Sequence, residues 1–162
     1  KLVRRAGDGL ITDGAGQQWR SVVYENTIDR VEHVALVKGD IAADEPVLVR
    51  MHAVSTIDDI LGGDHIRDLR RAMAQIAQSG RGVVVLIREA RPDAVSLRLQ
   101  QIVGGARTGA VLRDYGVGAQ ILADLGVRDM VLLSNHKRAV VGLEGYGLNI
   151  VEQLPIEEPA RS

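Results

Sequence analysis

The sequence predicts a layered α/β fold built on a mixed sheet, and three observations carry that reading. "GVVVLIRE" (82–89) and "DMVLLSN" (129–135) are continuous apolar runs, the mark of strands buried on both faces. Stretches with helical spacing and glycine stops alternate with them, giving strand, helix, strand, helix, strand through the second half. The 162 residues are 46% hydrophobic but include no Phe, one Trp and three Tyr, so the core must be aliphatic. A chain of this size buries roughly two-thirds of its unfolded surface, enough for one self-standing domain.

Taken in order, residues 1–20 are polar and glycine-rich ("GDGLITDGAG") and read as a linker. "SVVYEN" (21–26), "EHVALVKGD" (32–40) and "EPVLVRMH" (45–52) read as strands, with Gly39-Asp40 as a turn. Pro46 sits at a strand start, where a missing N–H is tolerated. Asp64 suits the N-cap of a helix in which Ile66, Leu69, Met73 and Ile76 recur at helical spacing, and Gly80 suits its C-cap. The two apolar strands are expected to lie side by side inside the sheet. A second helix is expected from Tyr115 to Leu125, with Val117, Ile121, Leu122 and Leu125 inward and Gly126 at its end. "KRAVVGLEGYG" (137–147) reads as a short helix and "LNIVEQLPI" (148–156) as the last strand. The organisation is then a linker at 1–20, a domain at 21–156 and a tail at 157–162. A start at Lys1 rather than Met suggests a piece of a longer protein.

A formal net charge of −1 argues against a general nucleic-acid or membrane surface. No apolar run approaches the ~20 residues of a membrane span, and no signal peptide is visible. The absence of cysteine leaves no disulfide and no thiolate metal ligand, with the cytoplasm as the default compartment.

"RMHAVSTIDDILGGDHIRDLRRAM" (50–73) is rich in groups that could carry chemistry. His52, His65, Asp58, Asp59 and Asp64 could make a nitrogen–oxygen metal site. No standard spacing such as H-x-x-x-H is present, Asp64 serves as a cap, and the other aspartates read as a solvated loop. The expectation is no metal and no cofactor. "GGARTGAVLRDYGVG" (104–118) fits neither the P-loop nor the dinucleotide fingerprint, and reads as a turn before a helix. There Arg113-Asp114 offers either a bidentate phosphate contact or a surface ion pair of little energetic weight. "LLSNHKRA" (132–139) ends a buried strand, where open α/β sheets place ligands. Ser134, Asn135, Lys137 and Arg138 could bind an anion there, or Ser134 or Asn135 could cap the next helix. Glu89 and Arg91 stand at the end of the other buried strand in the same way. No nucleophilic triad can be assembled.

The order of these motifs resembles a known family. "EHVALVKGDI…PVLVRMH" resembles the entry segment of GTP cyclohydrolase II, the enzyme that opens the guanine ring in riboflavin biosynthesis. "LRDYGVGAQILADLGVRDMVLLSNHKRAVVGLEGYGLNIVEQLPI" resembles the end of the same family, and "KLVRR" the junction that follows a 3,4-dihydroxy-2-butanone 4-phosphate synthase domain in two-domain proteins. The resemblance implies a GTP cyclohydrolase II-like fold, a homodimer and an attached synthase. It also implies a zinc held by three cysteines, in a pattern like R-V-H-S-E-C followed by R-C-D-C-G. Here those cysteines fall on Ser55 and near Gly63 and His65, with a few residues deleted between. One nitrogen ligand cannot hold the tetrahedral site that zinc wants. The family's catalytic arginine matches Arg113, but its acidic companion falls on Val111. The segment between Arg91 and Arg107 is shorter than the family's and lacks its active-site tyrosine. Arg50, His52, Glu89, Arg91 and Ser134 match positions lining the nucleotide cleft, while the lysine after the serine is displaced or replaced by Arg138 or Ala139. The expected function is a cyclohydrolase-II-like domain without zinc and without GTP hydrolysis, supporting or regulating the attached synthase. The alternatives are an active hydrolase with altered metal ligands and a metal-free module that binds GTP or phosphate.

Overall fold

The computed structural model describes residues 2–42, 44–105, 116–135 and 146–157. Among these, strands β1 (Val3–Thr12), β2 (Gln18–Asn26), β3 (Glu32–Lys38), β4 (Val47–Ala53), β5 (Gly82–Ile87), β6 (Asp129–Leu133) and β7 (Asn149–Leu154) form one sheet. Its order is β1-β2-β3-β5-β4-β6-β7. The pairs from β1 to β5 are antiparallel, and β5 with β4, β4 with β6 and β6 with β7 are parallel, so the sheet is mixed as predicted. Parallel neighbours need crossovers. The one from β4 to β5 carries α1 (Thr56–Leu61) and α2 (Asp64–Ser79); the one from β5 to β6 carries α3 (Ala94–Val103) and α4 (Gly116–Asp124).

Two apolar layers follow from strand alternation. In β5, Val83, Val85 and Ile87 pack with Ala119, Ile121 and Leu122 of α4, whereas Val84 and Leu86 pack with Ala72 and Ile76 of α2. That is why "GVVVLI" carries no polar residue: both of its faces are covered. In β4, Val47, Val49 and Met51 face the α4 layer and Leu48 the α2 layer. The two-residue period therefore puts Arg50 and His52 on the α2 side, at the carboxyl end of the strand.

Several expectations need correction. Residues read as a linker through position 20 are instead strand β1 and the start of β2, joined at a turn in which Asp13 accepts the amides of Ala15 and Gln17. Nearly all of β1 is exposed on an edge, so its sequence lacks the apolar alternation that marks a half-buried strand. The two apolar strands are both interior but not adjacent, because β4 lies between β5 and β6. Hydrophobicity reports that a strand is covered, not which strand it pairs with. Asp64 is the first residue of α2 and pairs with Arg67, while Gly63 at φ 96° is the residue before the helix. Asp58 and Asp59 belong to helix α1 rather than to a solvated loop, and α3 is a helix that the sequence reading does not assign. The helix expected at 115–125 is present as α4, and Gly80 closes α2 in the left-handed conformation. The short helix expected at 137–147 falls mostly outside the described residues.

Gly39 leaves β3 at φ 71°, and a Cβ there would lie 2.2 Å from the carbonyl oxygen of Gly80. Gly39→Ala therefore combines left-handed strain with a backbone collision that no side chain can relieve. It is expected to lower unfolding stability by about 1–3 kcal/mol or more, read as a drop in urea midpoint at unchanged slope.

Candidate functional site

The site grows from the short connection that leaves β4. Ser55 caps α1: its Oγ accepts the Asp58 amide at 3.3 Å, and its hydroxyl donates to Asp58 Oδ2 at 2.6 Å. Its own amide donates to Asp59 Oδ2 at 3.0 Å. The two consecutive aspartates thus leave the cap in different directions. Asp58 receives a forked pair of hydrogen bonds from Arg98 of α3, Nε at 2.7 Å and Nη2 at 2.9 Å. Arg98 is buried, and its bonds to the Asp58 carboxyl hold that group below the usual carboxylate range. Asp59 turns the other way. Its Oδ1 lies 3.0 Å from His52 Nε2 and 3.5 Å from His65 Nε2.

The two imidazoles stack, with ring centroids 4.3 Å apart and planes inclined by 29°. His52 is sealed beneath α1 and α2, and its Nδ1 is buried with no hydrogen-bond partner among the described residues. Burial first, then the neighbouring His65, pushes the His52 pKa down to about 4, leaving a neutral ring at physiological pH. His65, from the first turn of α2, also meets the Ala53 carbonyl oxygen at 2.7 Å. Beside this cluster opens a cleft of about 410 Å³ between α1, the start of α3 and the segment after β5; its walls include Ser55, His65, Arg88, Glu89, Arg91 and Arg98.

The residues expected from sequence are only partly brought together. Glu89 and Arg91 line the cleft. Arg91 is paired with Asp93 through two contacts of 3.1 Å at the surface, which holds its guanidinium along the rim. Arg50 donates to the Leu133 carbonyl at 3.2 Å, and Ser134 is buried beside the end of β6, its amide donating to Leu154. Neither they nor His52 are among the cleft walls. Asn135 accepts the Ile156 amide at 2.9 Å, so its side chain fastens the chain after β7. Arg113, with Asp114 and Val111, lies outside the described residues, as do Lys137, Arg138 and Ala139.

The positions on which three thiolates were expected do not fit a sulfur-ligated zinc. Ser55 is spent on capping and on Asp58, and Gly63 has no side chain. The structure instead gathers His52, Asp59 and His65, with one potential ligand atom of each lying within 4.8 Å of the others. From sequence these three belong to a larger set with Asp58 and Asp64 that is given no metal, because no standard spacing such as H-x-x-x-H is present and the aspartates read as a cap and a solvated loop. The sign that could have found it is Ser55 followed by Asp58, a capping pattern that begins a helix where a loop was assumed.

A model of the family described as GTP cyclohydrolase II matches residues 8–155. The riboflavin biosynthesis protein RibBA of Chlorobium phaeovibrioides is 42% identical over 173 residues, covering 97% of this chain and 42% of that protein. RibBA of Bacillus cytotoxicus is 39% identical over 159 residues, covering 88% of this chain and 40% of its own length. The chain thus spans about two-fifths of these relatives. Among solved structures, RibBX from A. baumannii, described as a two-domain 3,4-dihydroxy-2-butanone 4-phosphate synthase, matches with a TM-score of 0.61 and 27% identity. The match covers 98% of this chain and 41% of that one.

The Arg98–Asp58 fork is the link between α1 and α3 and should be measurable by itself. Arg98→Met, which keeps the stem and removes the charge, is expected to cost about 1–3 kcal/mol. A double-mutant cycle with Asp58→Asn in urea unfolding should return a coupling well above the few tenths expected of unrelated sites.

Proposed function

Because this chain belongs to the GTP cyclohydrolase II family, we propose that it serves riboflavin biosynthesis as a cyclohydrolase-II-like domain that does not open the guanine ring and supports or regulates an attached 3,4-dihydroxy-2-butanone 4-phosphate synthase. One observation carries the reading. The chain has no cysteine, and the serine at the first expected thiolate position is committed to holding α1 and Asp58. Without the thiolate zinc, the family's route to activated water and a polarised ring carbon is missing. The attached-synthase part is supported by RibBX, a neighbour described as a two-domain synthase, of which this chain covers the smaller share. The proposed assembly is a homodimer, which sedimentation of the purified chain checks, and the proposed compartment is the cytoplasm, which fractionation of the source cells checks.

The expected outcome is no opening of the guanine ring of GTP at neutral pH, with or without added zinc, followed by the guanine absorption. Turnover above background in either condition would defeat the inactive reading. A second reading, a hydrolase using altered ligands, draws on the His52–Asp59–His65 set; zinc-dependent turnover lost in His65→Ala would establish it. Arg88, Arg91 and Arg98 stand at the cleft walls beside Asp58 and Glu89, and with Arg91 held by Asp93 and Arg98 by Asp58 the charge offered to an anion is modest. GTP is expected to bind weakly there, with Arg91→Ala reducing the heat in titration calorimetry. No heat from the native chain at millimolar GTP would leave the supporting role alone.

A further inference from the structure

We propose that His52, Asp59 and His65 form a binding site for one divalent transition-metal ion of the zinc class, built from nitrogen and oxygen donors at positions the thiolate pattern does not use for two of its three ligands. The geometry is the argument. A tetrahedral zinc with bonds of about 2.0–2.1 Å sets two of its ligand atoms about 3.3 Å apart. Asp59 Oδ1 lies 3.0 Å from His52 Nε2 and 3.5 Å from His65 Nε2, close to that edge length on both sides. The three donors come from three elements, β4, α1 and α2, and meet because the crossover folds back over the end of β4.

Each donor is held by something other than an ion. Asp59 is oriented through its second oxygen, which accepts the Ser55 amide at 3.0 Å and leaves Oδ1 to the two rings. His52 is fixed by burial, with its side chain fully covered, and its sole polar engagement among the described residues is through Nε2. His65 is a quarter exposed and borders the cleft, which gives an ion its way in and leaves a coordination position for water. On binding, His65 exchanges its Nε2 contact with the Ala53 carbonyl for the metal, and both rings carry their single proton on Nδ1, which in His52 is buried with no hydrogen-bond partner among the described residues. Two imidazoles with one carboxylate select borderline ions such as zinc, cobalt or ferrous iron over magnesium and calcium, which want oxygen alone.

The site does not rest on the proposed function, and the experiment keeps the two apart. The full chain, stripped with chelator, is titrated with cobalt(II) and followed by visible absorption, then competed with zinc. One equivalent of cobalt should produce the intense bands of a four-coordinate nitrogen–oxygen site, and zinc should abolish them. His65→Ala and the near-isosteric Asp59→Asn should each weaken binding at least about tenfold, with circular dichroism reporting that both variants keep the fold. No cobalt band, or a band unchanged in both folded variants, overturns the inference whatever the GTP assay shows. Turnover of GTP with binding intact would instead overturn the inactive reading and leave the site standing.

Discussion

The parallel pairing of β4 with β5 is the constraint on which the site depends. Residues Leu48–Ala53 pair in register with Gly82–Ile87, and both strands run the same way. A hairpin cannot join such a pair, so the chain must leave the end of β4, cross the sheet and return. That return path is α1 and α2, and it carries Ser55, Asp58, Asp59 and His65. Val84 and Leu86 drive the path down onto the sheet by packing against Ala72, Met73 and Ile76. Burying that surface contributes about 25 cal/mol per Å² of apolar area, which is what presses helix α1 and its aspartates against two histidines. The site is thus a consequence of strand direction and apolar packing before it is a matter of its own polar contacts.

Within the crossover, two adjacent residues of one type do unlike work. Asp58 and Asp59 are about 100° apart around a helix, so when Ser55 fixes the first turn they cannot face the same partner. Asp58 meets Arg98 and ties α1 to α3; Asp59 meets the histidines and ties α1 to β4 and α2. The first contact is a charge pair in partial shelter, where a forked guanidinium is favoured over a flexible ammonium. The second is a carboxylate facing two rings, one of them kept neutral by burial. One network holds the cleft wall in place and the other supplies donor atoms.

What could be read from the sequence divides along physical lines. Covered strands announce themselves, because β5 and β6 carry apolar side chains on both faces, and α2 and α4 show their core stripe and glycine stops. Edge strand β1 does not, since an exposed ribbon is stabilised by its ladder to β2 and by Arg20–Asp8 and Arg5–Asp124 pairs that leave no period in the sequence. Strand order is equally silent: pairing β5 with β4 and β3, rather than β6, depends on contacts far apart in the chain. Helix α3 hides its start because Asp93, its cap residue, spends its carboxylate on Arg91 rather than on a helix amide. Of the residues matched to the family cleft, Glu89 and Arg91 border the cleft beside α1, while Arg50 and Ser134 make their contacts at the end of β6.

The family relationship and the site chemistry therefore have to be weighed separately. Membership rests on a match across residues 8–155, most of which is scaffold: the sheet, its crossovers and the glycines that let them close. Scaffold can persist while a metal centre changes, because the folding energy lies in the apolar layers and not in the ligands. Membership therefore speaks for the sheet and its crossovers, and the groups standing at the end of β4 have to be read from their own contacts. Ser55 joins the two networks at the turn into α1: its hydroxyl caps the helix beside Asp58, and its backbone amide holds Asp59 Oδ2 so that Oδ1 faces the rings.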